Sequence, residues 1–150
     1  MYDGLVNFRD IGGAASRYGR SVRTGVVFRA GLFSFVGDEA GDRLVNEFGV
    51  QTVIDLRMDD ELEEHPPPPL YSRHALIKVV HLPFFKGHKL SDLTLPSGFE
   101  PEPWSIRYTD LAGRHVIVKV FEEILADDVS HTVFHCWSGK DRTGLTAAIL

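Results

Sequence analysis

The run His131-Thr132-Val133-Phe134-His135-Cys136-Trp137-Ser138-Gly139-Lys140-Asp141-Arg142-Thr143-Gly144-Leu145-Thr146-Ala147-Ala148-Ile149-Leu150 decides how this chain is read. Its first four residues are β-branched or aromatic, the composition of a short buried strand. From Gly144 onward it is small and apolar and reads as the start of a buried helix. A strand, a tight polar loop and a helix aim backbone N–H groups and a helix dipole at an anion. The loop also holds Cys136, the only cysteine of the chain, and Arg142 six positions later. A lone cysteine is ordinarily a small buried hydrophobe. Over such a cradle, next to cations, it is instead favoured as a thiolate. The guanidinium of Arg142 offers a planar fork that matches phosphate oxygens.

Working outward, Asn7-Phe8-Arg9-Asp10-Ile11-Gly12-Gly13 is half extended and then broken by two glycines, a strand entering a turn. Gly25 to Leu32 is a second strand running into a loop. Asp38 is placed to cap a helix that carries Ala40, Leu44, Val45 and Phe48 on one face and stops at Gly49. Gln51 to Arg57 follows as a strand, β-branched at its centre. Strand, helix and strand with short connections give a parallel pair with a helical crossover. Met58 to Glu64 is acidic, and His65 with Pro66 to Pro69 reads as an extended, exposed excursion. Ile77 to Pro83 is a further strand. Phe84 to Pro103 is broken by Gly and Pro and is long enough for a lid or binding loop. Its aromatics, Phe84, Phe85 and Phe99, with Trp104 just beyond, either face a ligand or cover the core. Trp104, Tyr108 and Leu111 lie at helical spacing, as do Ile117, Val120, Phe121, Ile124 and Leu125, giving two helices before the His131 strand.

The loop resembles a known family. Cys-x5-Arg within His-Cys-x-x-Gly-Lys-Asp-Arg-Thr-Gly is the signature of the bacterial and fungal tyrosine phosphatases, which include dual-specificity and phosphoinositide-directed members. Asn7 to Gly13 resembles a second hallmark of that family, Asn-Phe-Arg-Asp-(Leu/Ile)-Gly-Gly. Phe28-Arg29-Ala30-Gly31-Leu32 is similar to its Tyr-Arg-Ser-(Ala/Gly)-x-Leu segment, with Phe28 and Ala30 lacking the usual hydroxyls. Asp55-Leu56-Arg57 resembles its Asp-Leu-Arg element at a strand end.

The resemblance implies an α/β fold of the cysteine-phosphatase type. In it a central, mostly parallel sheet is flanked by helices and the phosphate loop joins a strand to a helix. It implies Cys136 as nucleophile and Arg142 with the loop N–H groups as the phosphate clamp. Trp137, Ser138, Gly139 and Lys140 would bind substrate. Asp141 would be the general acid, ahead of Asp92 and Asp110, which lack the Trp-Pro-Asp context of other tyrosine phosphatases. Thr143 would donate to the Cys136 sulfur, and His135 would shape the loop. Arg9 and Asp10 either touch substrate or serve structure. Asp55 either orients a loop or Arg142, or forms a plain strand-end ion pair. Arg29 reads as scaffold. The chemistry implied uses no metal and no cofactor. The implied substrate is a phosphorylated protein or, because Lys140 adds charge to the loop, a phosphoinositide.

Composition narrows the alternatives. The 150 residues make one domain with a real core. A net charge of −5 argues against general nucleic-acid binding, which wants a basic face. One cysteine excludes an intrachain disulfide and a cysteine zinc cluster. No apolar run approaches the roughly 20 residues of a membrane span. Met1-Tyr2-Asp3-Gly4 lacks a signal-peptide layout. A reactive thiol suits a reducing cytoplasm, and secretion without a cleaved signal stays open. Gly139-Lys140-Asp141 does not fit a nucleotide-binding Walker loop. The expected single domain of residues 1–150 ends in a short apolar helix without a cap, so it is expected to be cut short of its C-terminal helical part. A catalytically silent phosphate-binding module is the alternative function. Sulfur or arsenate chemistry is disfavoured by the Asn7 hallmark and the absence of further cysteines.

Overall fold

The computed structural model describes residues 5–15, 18–33, 36–73, 77–85, 111–126 and 131–150. Five strands form one sheet: β1 (Arg9–Asp10), β2 (Val27–Ala30), β3 (Val50–Asp55), β4 (Lys78–His81) and β5 (His131–His135). Their order across the sheet is β1-β2-β5-β3-β4, with β5 at the centre. β2, β5, β3 and β4 are mutually parallel, and β1 alone runs antiparallel, against β2. The described helices are α1 (Asp38–Asn46), α2 (Asp59–Glu64), α3 (Leu70–Arg73), α4 (Leu111–Ala126) and α5 (Asp141–Ile149).

The inner strands β2, β3 and β5 are largely buried because both faces are covered, the pattern expected of a parallel sheet between helices, whereas the edge strands β1 and β4 are mostly exposed. Alternate residues go to opposite layers. Val27, Ile54 and Phe134 join Val116, Ile117 and Val120 of α4 on one side. Phe28, Val53 and Val133 join Ala40 and Leu44 of α1 and Leu70 on the other. Phe84 and Phe85 are buried in the first of these cores, so they cover hydrophobic interior rather than a ligand. The rest of the Phe84 to Pro103 stretch, with Asp92 and Phe99, and the Trp104, Tyr108 and Asp110 positions after it lie outside the described residues.

Three local expectations are corrected. Gly37, not Asp38, is the cap of α1, and Asp38 and Glu39 fill its first turn, where carboxylates favour the helix dipole. The acidic stretch folds as α2 because Asp59, Asp60 and Glu61 stand in its first turn and the Glu61 carboxylate accepts the Met58 N–H (2.8 Å). The prolines after it are not a free polyproline run: Pro68 is buried and the segment turns directly into α3. The final helix begins at Asp141, three residues before Gly144, which sets Arg142 and Thr143 in its first turn.

The topology decides where chemistry occurs. β5, β2 and β3 end side by side, and the segments leaving them meet at that carboxyl edge, where open α/β sheets hold ligands. Because β1 is antiparallel, the residues entering it, Asn7 included, stand at the same edge.

Candidate active site

Cys136 follows β5 directly and is 2 % exposed. The loop from Trp137 to Lys140 then turns into α5, so the thiol and the N-terminus of that helix are joined by four residues. Gly139 has φ +67°, and a Cβ there would stand 2.6 Å from the Ala30 carbonyl oxygen, so only glycine fits the close approach to β2. The three carbonyls of Trp137, Ser138 and Gly139 are each held from the N-terminal strands. They accept from Leu32 N–H (2.8 Å), Asn7 Nδ2 (2.6 Å) and Arg29 Nη2 (2.7 Å).

Arg142 is 6 % exposed and its guanidinium is gripped by Glu61, itself 3 % exposed. Nη2 donates to Oε1 at 2.7 Å, Nη1 donates to Oε2, and Nη1 also reaches the Leu56 carbonyl at 3.4 Å. A buried bidentate pair fixes the plane of the fork. Glu61 is a site residue that sequence reasoning missed. The signal available was a glutamate six residues after Asp55, in a stretch read as surface excursion.

Asp55 does not reach Arg142. Its carboxylate takes Arg57 Nε (3.0 Å), Nη2 (2.7 Å) and backbone N–H (3.0 Å), and Arg57 Nη1 continues to the His65 carbonyl (2.8 Å). The strand-end ion pair thus also anchors the loop carrying His65, whose ring packs edge-on against Trp137 (4.7 Å between centroids). Burial disfavours the Asp55 carboxylate, yet the neighbouring His135 ring and the hydrogen bonds and charge of Arg57 outweigh it, and its pKa is lowered.

His135 is fully buried beneath the loop. Nδ1 lies 3.3 Å from the Cys136 carbonyl, and Nε2 lies 3.4 Å from the Tyr71 hydroxyl and 3.5 Å from Asp55 Oδ2. With Nδ1–H toward the carbonyl, the neutral ring accepts from Tyr71 at Nε2. Burial lowers the His135 pKa from 6.5 despite the neighbouring Asp55 charge. The native state therefore refuses a proton that the unfolded chain accepts. Stability is fully present above about pH 6.5 and falls as pH drops through the folded value. Urea unfolding at steps from pH 7.5 to 5 should show this loss in the parent and less of it in His135→Asn. Equal slopes would contradict the buried neutral ring.

The remaining candidates are placed as follows. Asp141 is exposed at the first position of α5, and Lys140 is exposed beside it. The Thr143 hydroxyl is buried without a hydrogen-bond partner, so no bond to the Cys136 sulfur is made. The two carboxylate oxygens of Asp10 accept from the N–H groups of Gly12 (2.7 Å) and Gly25 (2.6 Å). Arg9 is exposed and donates to the Asn7 carbonyl (3.4 Å), opposite Arg29 on the neighbouring strand. Among the described residues, no group of three or more His, Cys, Asp or Glu could hold a metal ion, and no helix is long and apolar enough to cross a membrane.

A thiol one short loop away from a helix N-terminus, loop carbonyls tied to the N-terminal part of the chain and a guanidinium held by Glu61 form an arrangement suited to attack on a tetrahedral anion. Comparison with known proteins points the same way. Residues 1–150 match the family model described as "Tyrosine phosphatase family". A Cupriavidus necator protein named among the tyrosine-protein phosphatases is 28 % identical over 155 aligned residues, covering 99 % of this chain and 55 % of that protein. A Nostoc commune tyrosine-protein phosphatase is 31 % identical over 104 residues, covering 68 % of this chain and 34 % of its own length. The chain thus spans about half the length, or less, of these relatives.

Proposed function

We propose, from the premise that this chain belongs to the tyrosine phosphatase family, that it hydrolyses phosphomonoesters through a cysteinyl-phosphate, without a metal ion. The observation that carries the reading is Cys136 at the end of the central strand, followed by the loop and by a helix whose first-turn Arg142 is held by Glu61. The Cys136 thiolate attacks phosphorus, the bond to the leaving oxygen breaks, and that oxygen takes the proton of the Asp141 carboxyl. Water then attacks phosphorus and gives a proton to Asp141. The P–S bond breaks, the thiolate is restored and inorganic phosphate leaves. Arg142 and the loop N–H groups hold the equatorial oxygens throughout.

The names of the relatives support phosphotyrosine as substrate. Lys140, exposed beside the mouth, makes a phosphoinositide headgroup the competing outcome. Turnover of a phosphotyrosine peptide, a phosphoserine peptide and a phosphoinositide, compared as kcat/KM, decides between them.

The mechanism is tested with aryl phosphates of graded leaving-group pKa, with chelator present. Asp141→Asn should lose about 10²–10⁴-fold on poor leaving groups and little on good ones. An equal loss across the series would place the acid elsewhere, and abolition by chelator would overturn metal independence. Binding of inorganic phosphate without turnover would identify a silent phosphate-binding module.

A further inference from the structure

Two unusual features of the N-terminal part of the chain, at Asn7 and at Arg29, converge on the loop. Asn7 has φ +52°, a left-handed conformation that most residues with a side chain avoid and that asparagine tolerates better than most. Arg29 stands directly opposite Arg9 in the β1–β2 register, a like-charge pair that destabilises a sheet. The Arg29 Nε is buried without a hydrogen-bond partner, and burial and the Arg9 charge both lower its pKa. Arg29 is not placed as stability alone would place it. Rule-breaking of this kind is expected where function sets the geometry.

What both residues do is hold a carbonyl of the loop. Asn7 takes that of Ser138 and Arg29 that of Gly139, after Leu32 N–H has taken that of Trp137. In a planar trans peptide the C=O and the following N–H point in opposite directions. Three successive carbonyls drawn toward β1 and β2 therefore turn the N–H groups of Ser138, Gly139 and Lys140 to the far side. We infer that Asn7 and Arg29 are positioning residues that pre-set the anion cradle by pulling its carbonyls outward, so that the N–H groups stand ready before a phosphoryl group arrives. This rests on the phosphatase reading of the loop and extends it to two residues that touch no substrate. Preorganised donors stabilise charge without reorganising during the reaction, which is why their orientation matters more than their number.

The test uses Asn7→Asp, which keeps the shape but loses the donor, and Asn7→Gly, which relieves the backbone. It adds Arg29→Met, which removes charge and donor, and Arg29→Lys as the conservative control. Each is measured for thermal midpoint and for kcat/KM on an aryl phosphate. Inorganic phosphate binding is measured by calorimetry with Cys136→Ser added. Asn7→Asp, Asn7→Gly and Arg29→Met should lose about 10- to 100-fold in kcat/KM, with matching loss of phosphate affinity. Arg29→Lys should recover part of both. Asn7→Gly and Arg29→Met should melt no lower than the parent, so activity and stability move apart. Phosphate binding equal to the parent, or activity lost only in step with folded protein, would overturn the inference. A parent that neither binds phosphate nor hydrolyses the ester would instead sink the phosphatase reading, and the inference with it.

Discussion

Cys136→Ser is expected to lose aryl phosphate hydrolysis by about 10⁴-fold or more and to keep inorganic phosphate binding. The two outcomes separate because different atoms serve them. Attack needs an ionised sulfur, and a serine hydroxyl stays protonated at any pH the fold tolerates. Binding needs the loop N–H groups and the Arg142 fork, whose supports are Leu32, Asn7, Arg29 and Glu61. None of these touches the sulfur in the hydrogen bonds described, so one buried sulfur-to-oxygen exchange leaves the cradle in place. Steady-state rates with chelator present and calorimetry with phosphate provide the two readings. Residual turnover near the parent's would assign the chemistry to another group.

Glu61→Ala carries the second large effect, on stability as well as rate. Removing one partner of a buried ion pair strands the other charge, at about 3–5 kcal/mol. Arg142, 6 % exposed, has no easy route to water. Glu61→Gln keeps an acceptor for one arm of the fork and should be milder, about 1–3 kcal/mol. In both variants the guanidinium loses its fixed plane, and kcat/KM should fall by about 10²-fold. Added phosphate supplies the missing anion, so it should raise the melting temperature of Glu61→Ala more than that of the parent, as ligand linkage requires. If Glu61 acts through Arg142, a Glu61→Gln/Arg142→Met double variant will be little worse than Arg142→Met alone. Additive losses would mean that Glu61 has a separate role.

The central strand, the loop and the parallel sheet were legible in the sequence because their residues are local and strongly patterned. His131 to Phe134 alternates between the two cores as β5, and Gln51 to Asp55 does so as most of β3. What stayed hidden depends on distant partners. Glu61 belongs to a six-residue helix too short to show a periodicity, and its importance comes from Arg142, 81 positions away. Asn7 and Arg29 have no local pattern that announces a contact with carbonyls more than 100 residues later. The hallmark at Asn7 to Gly13 identified the right segment, but the structure makes Asn7 the residue that meets the loop. Asp10 is occupied with the turns at Gly12 and Gly25. The start of the last helix was set three residues late because Asp141-Arg142-Thr143 is polar. Arg142 turns to Glu61 rather than to the core, which is invisible to an apolar pattern.

The measurement that bears most directly on the proposed chemistry is an acid quench during steady-state turnover of an aryl phosphate in chelator, followed by intact-protein and peptide mass analysis. One phosphoryl group on the peptide containing Cys136, absent in Cys136→Ser and depleted as substrate runs out, is the predicted result. Turnover that leaves Cys136 unmodified at every quench time, with the phosphoryl group on another residue or on none, would contradict the cysteinyl-phosphate account.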